Sequence, residues 1–83
     1  MTPIDAQILA AIRAGRLEPL GGYTSDTAWG VVFRDGKFYS WRYDESYERI
    51  YDELSEEGVI AALEGSGLKR RILEKGIPPA GAP

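Results

Sequence analysis

Apolar side chains near the start of the chain recur every four residues, at Ile4, Ile8 and Ile12. That spacing places them on one face of a helix, which we expect to be buried. Thr2 followed by Pro3 is typical of a helix start, because threonine caps the first turn and proline suits its first position. Gly15 is typical of a helix end. The pattern predicts a helix over about residues 3–14.

Two runs rich in β-branched and aromatic residues, 27–33 and 37–43, lie on either side of Asp35 and Gly36. Asp-Gly between two such runs is the strongest short-range signal for a β-hairpin. Residues 17–22 contain a proline and two adjacent glycines, so we expect an irregular connection there. The pattern therefore predicts an antiparallel pair of strands after the first helix.

The hairpin has two possible registers, which arrange its aromatic residues differently. A two-residue turn pairs Phe33 with Phe38 and places Trp29 on their face. A three-residue turn with Gly36 as a bulge pairs Trp29 with Trp41. We favour the second register because it gathers both tryptophans on one face of the sheet.

Residues 46–54 fit either a helix or a strand. Their apolar side chains follow the spacing of a helical stripe, at Tyr47, Ile50, Tyr51 and Leu54. Ser55, however, is typical of a helix N-cap, and Leu54 with Val59 would form the hydrophobic staple around it. A staple requires Leu54 to be extended, so we favour a third strand that ends there.

Two short helices are predicted near the end of the chain, at residues 56–64 and 67–75. Ser55 and Ser66 precede them as caps, and glycines at 65 and 76 end them. Their expected inward residues are Val59, Ile60, Leu63, Leu68, Ile72 and Leu73.

The whole pattern predicts an α+β fold. It has an N-terminal helix, a three-stranded antiparallel β-meander whose third strand depends on the choice made for residues 46–54, and two short C-terminal helices. We expect a single domain at residues 1–77 and a flexible tail at residues 78–83, where proline, glycine and alanine dominate.

Composition narrows the chemistry that the chain can perform. Among its 83 residues there is no histidine and no cysteine. Without histidine it lacks the usual general base near neutral pH, and without cysteine it forms neither disulfides nor thiolates. We therefore expect a non-enzymatic protein with no cofactor and no metal.

Small secreted domains usually need disulfides, so the absence of cysteine predicts a cytoplasmic protein, and the charge and the hydropathy argue against membrane binding. The net charge of −3 disfavours general binding to nucleic acid or to anionic lipid. No apolar run reaches the about 18 residues that a membrane-spanning helix needs. The N-terminus carries Asp5 and lacks the basic region of a signal peptide.

Residues 44–57 are the most unusual segment, with seven carboxylates and a single cation, Arg49. Such a run is ordinarily a solvated face, and Glu56 and Glu57 also suit the first turn of a helix. The functional interpretation is an acidic, aromatic surface that replaces phosphates in the arginine-rich groove of a protein partner. Its candidate residues are Asp44, Glu45, Tyr47, Glu48, Tyr51, Asp52, Glu53, Glu56 and Glu57.

A second candidate site is the hairpin, where basic and aromatic residues alternate. They are Arg34, Lys37, Tyr39, Trp41, Arg42, Tyr43 and Arg49. Aromatic platforms with arginines stack the bases of single-stranded nucleic acids. Alternatively, the large aromatic residues of the hairpin are simply the core of a small domain.

A third interpretation is association through an exposed sheet edge, and we expect a monomer or a weak homodimer.

The chain resembles the anti-CRISPR proteins, small inhibitors carried by phages and mobile elements. The likeness lies in its size, the absence of histidine and cysteine, the aromatic hairpin at residues 29–41 and the acidic segment at 44–57. It covers the whole chain as a profile without a diagnostic motif. It implies a stoichiometric inhibitor that binds a subunit of a CRISPR effector, such as a type I complex, and blocks its binding to target DNA. Members of this group have unrelated folds, so no residue role is carried over.

Overall fold

The computed structural model describes residues 1–22, 24 and 26–79. Its elements, in chain order, are α1 (Pro3–Arg13), β1 (Leu20–Gly21), β2 (Trp29–Arg34), β3 (Lys37–Tyr43), β4 (Arg49–Leu54), α2 (Glu56–Gly65) and α3 (Leu68–Lys75). The four strands form one antiparallel sheet in the order β1-β2-β3-β4. The predicted α+β class is confirmed, but the expected number of strands, three, is wrong because β1 adds a fourth.

β1 lies in the segment that was expected to be an irregular connection. Leu20 pairs with Gly30 of β2, and the N–H of Val31 donates to the carbonyl of Pro19 over 3.2 Å. A strand of two residues carries no alternation of apolar and polar positions. Its formation depends on the neighbouring strand, so the sequence pattern does not reveal it.

α1 has the predicted start at Thr2. The threonine hydroxyl accepts from the N–H of Asp5 over 3.1 Å, and the Asp5 carboxylate accepts from the N–H of Thr2 over 3.4 Å. This reciprocal pair is a capping box. Ile8 and Ile12 are buried as expected, whereas Ile4 in the first turn is exposed.

The two C-terminal helices follow the prediction closely, with α3 beginning one residue late. The Ser55 hydroxyl accepts from the N–H of Gly58 over 3.0 Å and caps α2. Ser66 lies one residue before the capping position of α3, which Gly67 occupies in the left-handed conformation (φ 79°). Leu73, expected on the inward face of α3, is exposed.

The β2–β3 hairpin has the two-residue turn, so the register that we favoured is wrong. Phe33 lies opposite Phe38, and their rings meet edge to face with centroids 4.9 Å apart. Asp35 and Gly36 both have positive φ, 52° and 79°, as a type I′ turn requires. The twist of this turn matches that of the two strands, and its register places Trp41 opposite Gly30, where no side chain obstructs the indole.

The register places the two tryptophans on opposite faces of the sheet. Trp29 lies opposite Arg42, and Trp41 lies opposite Gly30. Trp29 packs against the hydrophobic core, while Trp41 is buried on the other side. The prediction that both tryptophans share one face is therefore wrong.

All three helices pack on one face of the sheet. Val31 and Phe38 join the buried residues of the helices in a single cluster. The helical members of that cluster are Ile8, Leu9, Ile12, Val59, Ile60, Leu63, Leu68 and Ile72. Side chains alternate between the two faces along each strand, so every second residue points away from the helices.

Residues 49–54 form a strand, which excludes the helical alternative for that segment. Leu54 is extended, packs against the core cluster and directly precedes the Ser55 cap.

At the C-terminus, the Pro78 carbonyl accepts from Arg16 Nε over 3.4 Å. The rest of the expected tail, residues 80–83, lies outside the described residues. None of the described helices has the length and apolar character needed to cross a membrane.

Candidate functional site

The sheet face opposite the helices, which we call the open face, carries most of the tyrosines and arginines of the strands. Residues directly opposite one another on paired strands share a face, so the register defines its members. They are Leu20, Gly30, Val32, Arg34, Lys37, Tyr39, Trp41, Tyr43, Arg49, Tyr51 and Glu53. Three cations accompany one carboxylate on this face, although the chain as a whole is acidic.

Trp41 lies at the centre of the open face and is only 3% exposed. The absence of a side chain at Gly30 makes room for the indole, because a Cβ there would lie 2.5 Å from Trp41 Nε1. Arg49 covers the ring with its guanidinium carbon 4.0 Å from the centroid, and Tyr43 meets it edge to face at 5.5 Å. Among the described residues, no hydrogen-bond partner reaches the buried indole Nε1.

Tyr51 lies beside two guanidinium groups on the same face. The Arg34 guanidinium carbon is 4.9 Å from the Tyr51 ring centroid, and the Tyr39 ring meets Tyr51 edge to face at 6.5 Å. Hydrogen bonding to Arg49, and then to Arg34, lowers the pKa of the Tyr51 phenol. The hydrogen bonds that Arg49 donates to the phenol oxygens of Tyr51 and Tyr43 in turn raise the pKa of Arg49, so this group keeps a permanent positive charge.

A rigid acidic turn, residues 44–48, joins β3 to β4 at one end of the open face. Asp44 fixes it, because one carboxylate oxygen accepts from the N–H groups of Ser46 (2.8 Å) and Glu48 (3.0 Å). The Asp44 N–H also donates to the Glu48 carbonyl over 2.8 Å. Tyr47 is held in the left-handed region at φ 60° with 64% of its surface exposed. That conformation is unfavourable for an aromatic residue.

The predicted acidic residues are divided among three places. Asp44, Glu45 and Glu48 belong to the acidic turn. Asp52 and Glu53 point to opposite faces of β4, and Glu53 lies 3.3 Å from Lys37 Nζ on the open face. The third group lies at the start of α2. There Glu56 pairs with Arg13 over 3.3 Å, and Glu57 is exposed.

The nine predicted residues thus do not form one continuous acidic stripe. Tyr51 and Glu53 belong to the open face, where Tyr51 is surrounded by positive rather than negative groups. In the described part of the chain, acidic side chains nowhere gather in threes as a metal site would need.

The structure also changes the membership of the basic, aromatic site. Arg42 was included with it, but the observed register puts Arg42 opposite Trp29, on the helix side of the sheet. Leu20, 56% exposed on β1, was missed because that strand was not predicted. Gly30 offered a signal in the sequence, since a glycine inside a strand marks the close approach of another group.

Comparison with protein-family models, curated proteins and solved structures gave no match.

Proposed function

We propose that this protein is a non-enzymatic inhibitor that uses the acidic turn to occupy a basic nucleic-acid-binding groove of a protein partner. The observation that carries the proposal is Tyr47, an exposed aromatic residue held in a left-handed conformation. Residues whose backbone is held in an unfavourable conformation by the surrounding hydrogen bonds are common at functional sites.

The acidic turn has the chemistry that a basic groove recognises. Glu45 and Glu48 are exposed carboxylates on either side of Tyr47, and neither is in one of the ion pairs of the described residues. Carboxylates accept charge-assisted hydrogen bonds from arginine and lysine as phosphates do. Tyr47 would add a rigid contact of the kind that dominates binding energy at interfaces. Because Asp44 already fixes the turn, binding would cost little conformational entropy.

The resemblance to anti-CRISPR proteins suggests the identity of the partner. On this proposal the groove belongs to a CRISPR effector subunit, as in a type I complex, and its occupation prevents binding of target DNA. The chain would act in the host cytoplasm as a stoichiometric blocker.

The test compares charge reversal in the acidic turn with the same change elsewhere. Glu45→Lys/Glu48→Lys should weaken binding to a purified type I effector by more than tenfold and restore its DNA binding. Glu18→Lys/Glu74→Lys makes the same change in net charge at exposed positions outside the turn, and should bind like the natural chain. Equal inhibition by the two double variants would refute the role of the turn.

A second candidate function, binding of single-stranded nucleic acid, is favoured by the open face. Tyr39, Tyr43 and Tyr51 lie together with Arg34 and Arg49 on a sheet surface that faces away from the helices. Tyrosine rings stack on bases, and arginines contact the phosphates between them.

This second function predicts salt-sensitive binding of a labelled single-stranded oligonucleotide, measured by fluorescence anisotropy. Arg34→Ala should weaken it several-fold, whereas Arg42→Ala, on the helix side, should have a much smaller effect. Absence of binding at low salt would remove this candidate.

A further inference from the structure

The outer edge of β4 is free of a partner strand in the described chain, because β4 is the last strand of the sheet. Exposed edges pair readily with other chains unless their side chains prevent it. The edge has the sequence Arg-Ile-Tyr-Asp-Glu-Leu, with its charged residues spread along the strand. What these charges permit depends on which backbone groups point outward.

The hydrogen bonds of the acidic turn determine which residues of β4 direct their backbone groups toward the free edge. The N–H of Asp44 donates to the carbonyl of Glu48, so these two residues form a hydrogen-bonded pair. Hydrogen-bonded and non-hydrogen-bonded pairs alternate along antiparallel strands. Counting from this pair through the β3–β4 register, residues 50, 52 and 54 direct their N–H and C=O groups toward β3. The backbone groups of Arg49, Tyr51 and Glu53 therefore point to the free edge.

The charges of these three residues match those of the same three residues in a second copy of the chain that runs antiparallel to the first. When Tyr51 lies opposite Tyr51 of a second copy, Arg49 lies opposite Glu53 at both ends of the pairing. All three pairs are then of the hydrogen-bonded kind, with two backbone hydrogen bonds in each. Opposite charges on directly paired positions stabilise a sheet, and like charges would destabilise it.

The neighbouring registers are poorer. Shifting the second copy by two residues in one direction places Arg49 opposite Tyr51, and in the other direction places Tyr51 opposite Glu53. Both shifts separate Arg49 from Glu53. The existing contact of Glu53 with Lys37 is no obstacle, because both side chains are more than half exposed and such surface pairs contribute little.

We propose that two copies of this chain associate through β4, antiparallel and centred on Tyr51, into one eight-stranded sheet. The two open faces then become continuous, since Arg49, Tyr51 and Glu53 all belong to that face. The interface is small, so the dimer forms in a concentration-dependent way. This dimer does not depend on the proposed inhibition, and it is tested without any other partner.

Cysteine cross-linking tests the register directly, because the natural chain contains no cysteine. Tyr51→Cys places two thiols on directly opposite residues, about 5.5 Å apart at Cα, which a disulfide can span. Under mild oxidation it should form a covalent dimer at least ten times faster than Tyr47→Cys, an exposed control outside the strand. Equal rates for the two variants would overturn the proposal.

Two further variants check the centre of the pairing. In a dimer of Arg49→Cys, or of Glu53→Cys, the thiols of the two copies lie four residues apart along the paired strands. That distance, about 13 Å, is too far for a disulfide. A mixture of the two should cross-link, whereas each alone should not. Cross-linking of Arg49→Cys alone would mean a different register and would contradict the proposal.

Charge exchange provides a test without oxidation. Arg49→Glu and Glu53→Arg should each weaken the dimer, as measured by sedimentation over a range of concentrations, because each creates two like-charge pairs. The double variant Arg49→Glu/Glu53→Arg should recover dimerisation, although it also lacks the cover over Trp41. A chain that stays at 9.2 kDa up to millimolar concentration would refute the dimer altogether.

Discussion

The Lys69 ammonium lies 2.7 Å from a carboxylate oxygen of Asp5 and joins the last helix to the first turn of α1. Asp5 is buried, and its carboxylate also completes the cap of α1. Lys69 lies 3.0 Å from Glu64 as well. The hydrogen bond with Lys69 lowers the pKa of Asp5, and the bonds with Asp5 and Glu64 raise the pKa of Lys69. Two elements at opposite ends of the sequence are thus held by one ion pair.

This ion pair predicts how stability depends on pH. Since the pKa of Asp5 is lower in the folded state, its contribution is complete above the unfolded value of about 3.9 and is lost as the pH falls through the folded value. Since the pKa of Lys69 is raised, its contribution is complete below about 10.4 and is lost as the pH rises through the folded value. Asp5→Asn should therefore lower the free energy of unfolding at pH 7 and reduce its fall between pH 5 and pH 2.

Urea denaturation at a series of pH values measures this effect. Glu74→Gln is the matched control, because Glu74 forms an exposed pair with Arg70 on the surface of α3. The control should retain the acid dependence of the natural chain. The same dependence in Asp5→Asn would show that the Asp5–Lys69 pair does not contribute as we infer.

Replacing Tyr47 should change the stability of the fold and the binding of the partner in opposite directions. Glycine adopts positive φ without the steric cost that tyrosine bears, so Tyr47→Gly should raise the free energy of unfolding by about 0.5–1 kcal/mol. Glu45→Gly, in the same turn without positive φ, should lower it by a similar amount. Thermal denaturation compares the two. If the proposed inhibition is correct, the stabilised Tyr47→Gly variant binds its partner more weakly than the natural chain.

Gly36 tests the observed hairpin register. It has φ 79° and no heavy atom near the position of an added Cβ, so Gly36→Ala isolates the backbone cost. We expect a loss of about 1–2 kcal/mol in the free energy of unfolding. Gly65→Ala, which is equally free of neighbours but lacks positive φ, should leave stability unchanged or raise it. Similar results for both alanines would argue against the type I′ turn.

Substitution of Gly30 should destabilise the protein through steric overlap of the new side chain with its neighbours, not through an unfavourable backbone conformation. An added Cβ would lie 2.5 Å from Trp41 Nε1 and 2.8 Å from the Pro19 carbonyl oxygen. Gly30→Ala should therefore lower the free energy of unfolding by about 1–3 kcal/mol, measured by chemical denaturation and circular dichroism. Trp41→Phe removes the nearest atom, so the alanine should cost less in that background. Additive effects would show that the two positions do not interact.

Local signals predicted the helices and strand β4 well, because caps and periodicity act within a few residues. Thr2 and Ser55 marked two helix starts, and the staple at Leu54 indicated the strand before α2. The hairpin register was different. Both turns are compatible with Asp-Gly, and the choice depends on the fit of Trp41 over Gly30 across two strands.

The candidate site was predictable in its residue types and only partly in its arrangement. The basic, aromatic composition of the hairpin indicated the open face, and the period of two residues along β3 already separates Arg42 from Tyr39 and Trp41. The pairing that adds Leu20 and Gly30 to that face became known only with the register. The choice of a strand for residues 46–54 already implied that the acids of that segment divide between two faces. A strand has a period of two residues, so folding it directed Asp52 and Glu53 to opposite sides.

The placement of the two tryptophans gives the protein two separate fluorescent reporters. Trp29 packs against the helical layer, and Trp41 lies beneath Arg49 on the other side of the sheet. In Trp41→Phe, the remaining emission follows detachment of the helices. In Trp29→Phe, it follows events on the open face, including the arrival of a ligand. Two single-tryptophan variants can thus report loss of the helical layer and occupation of the sheet independently, without any attached dye.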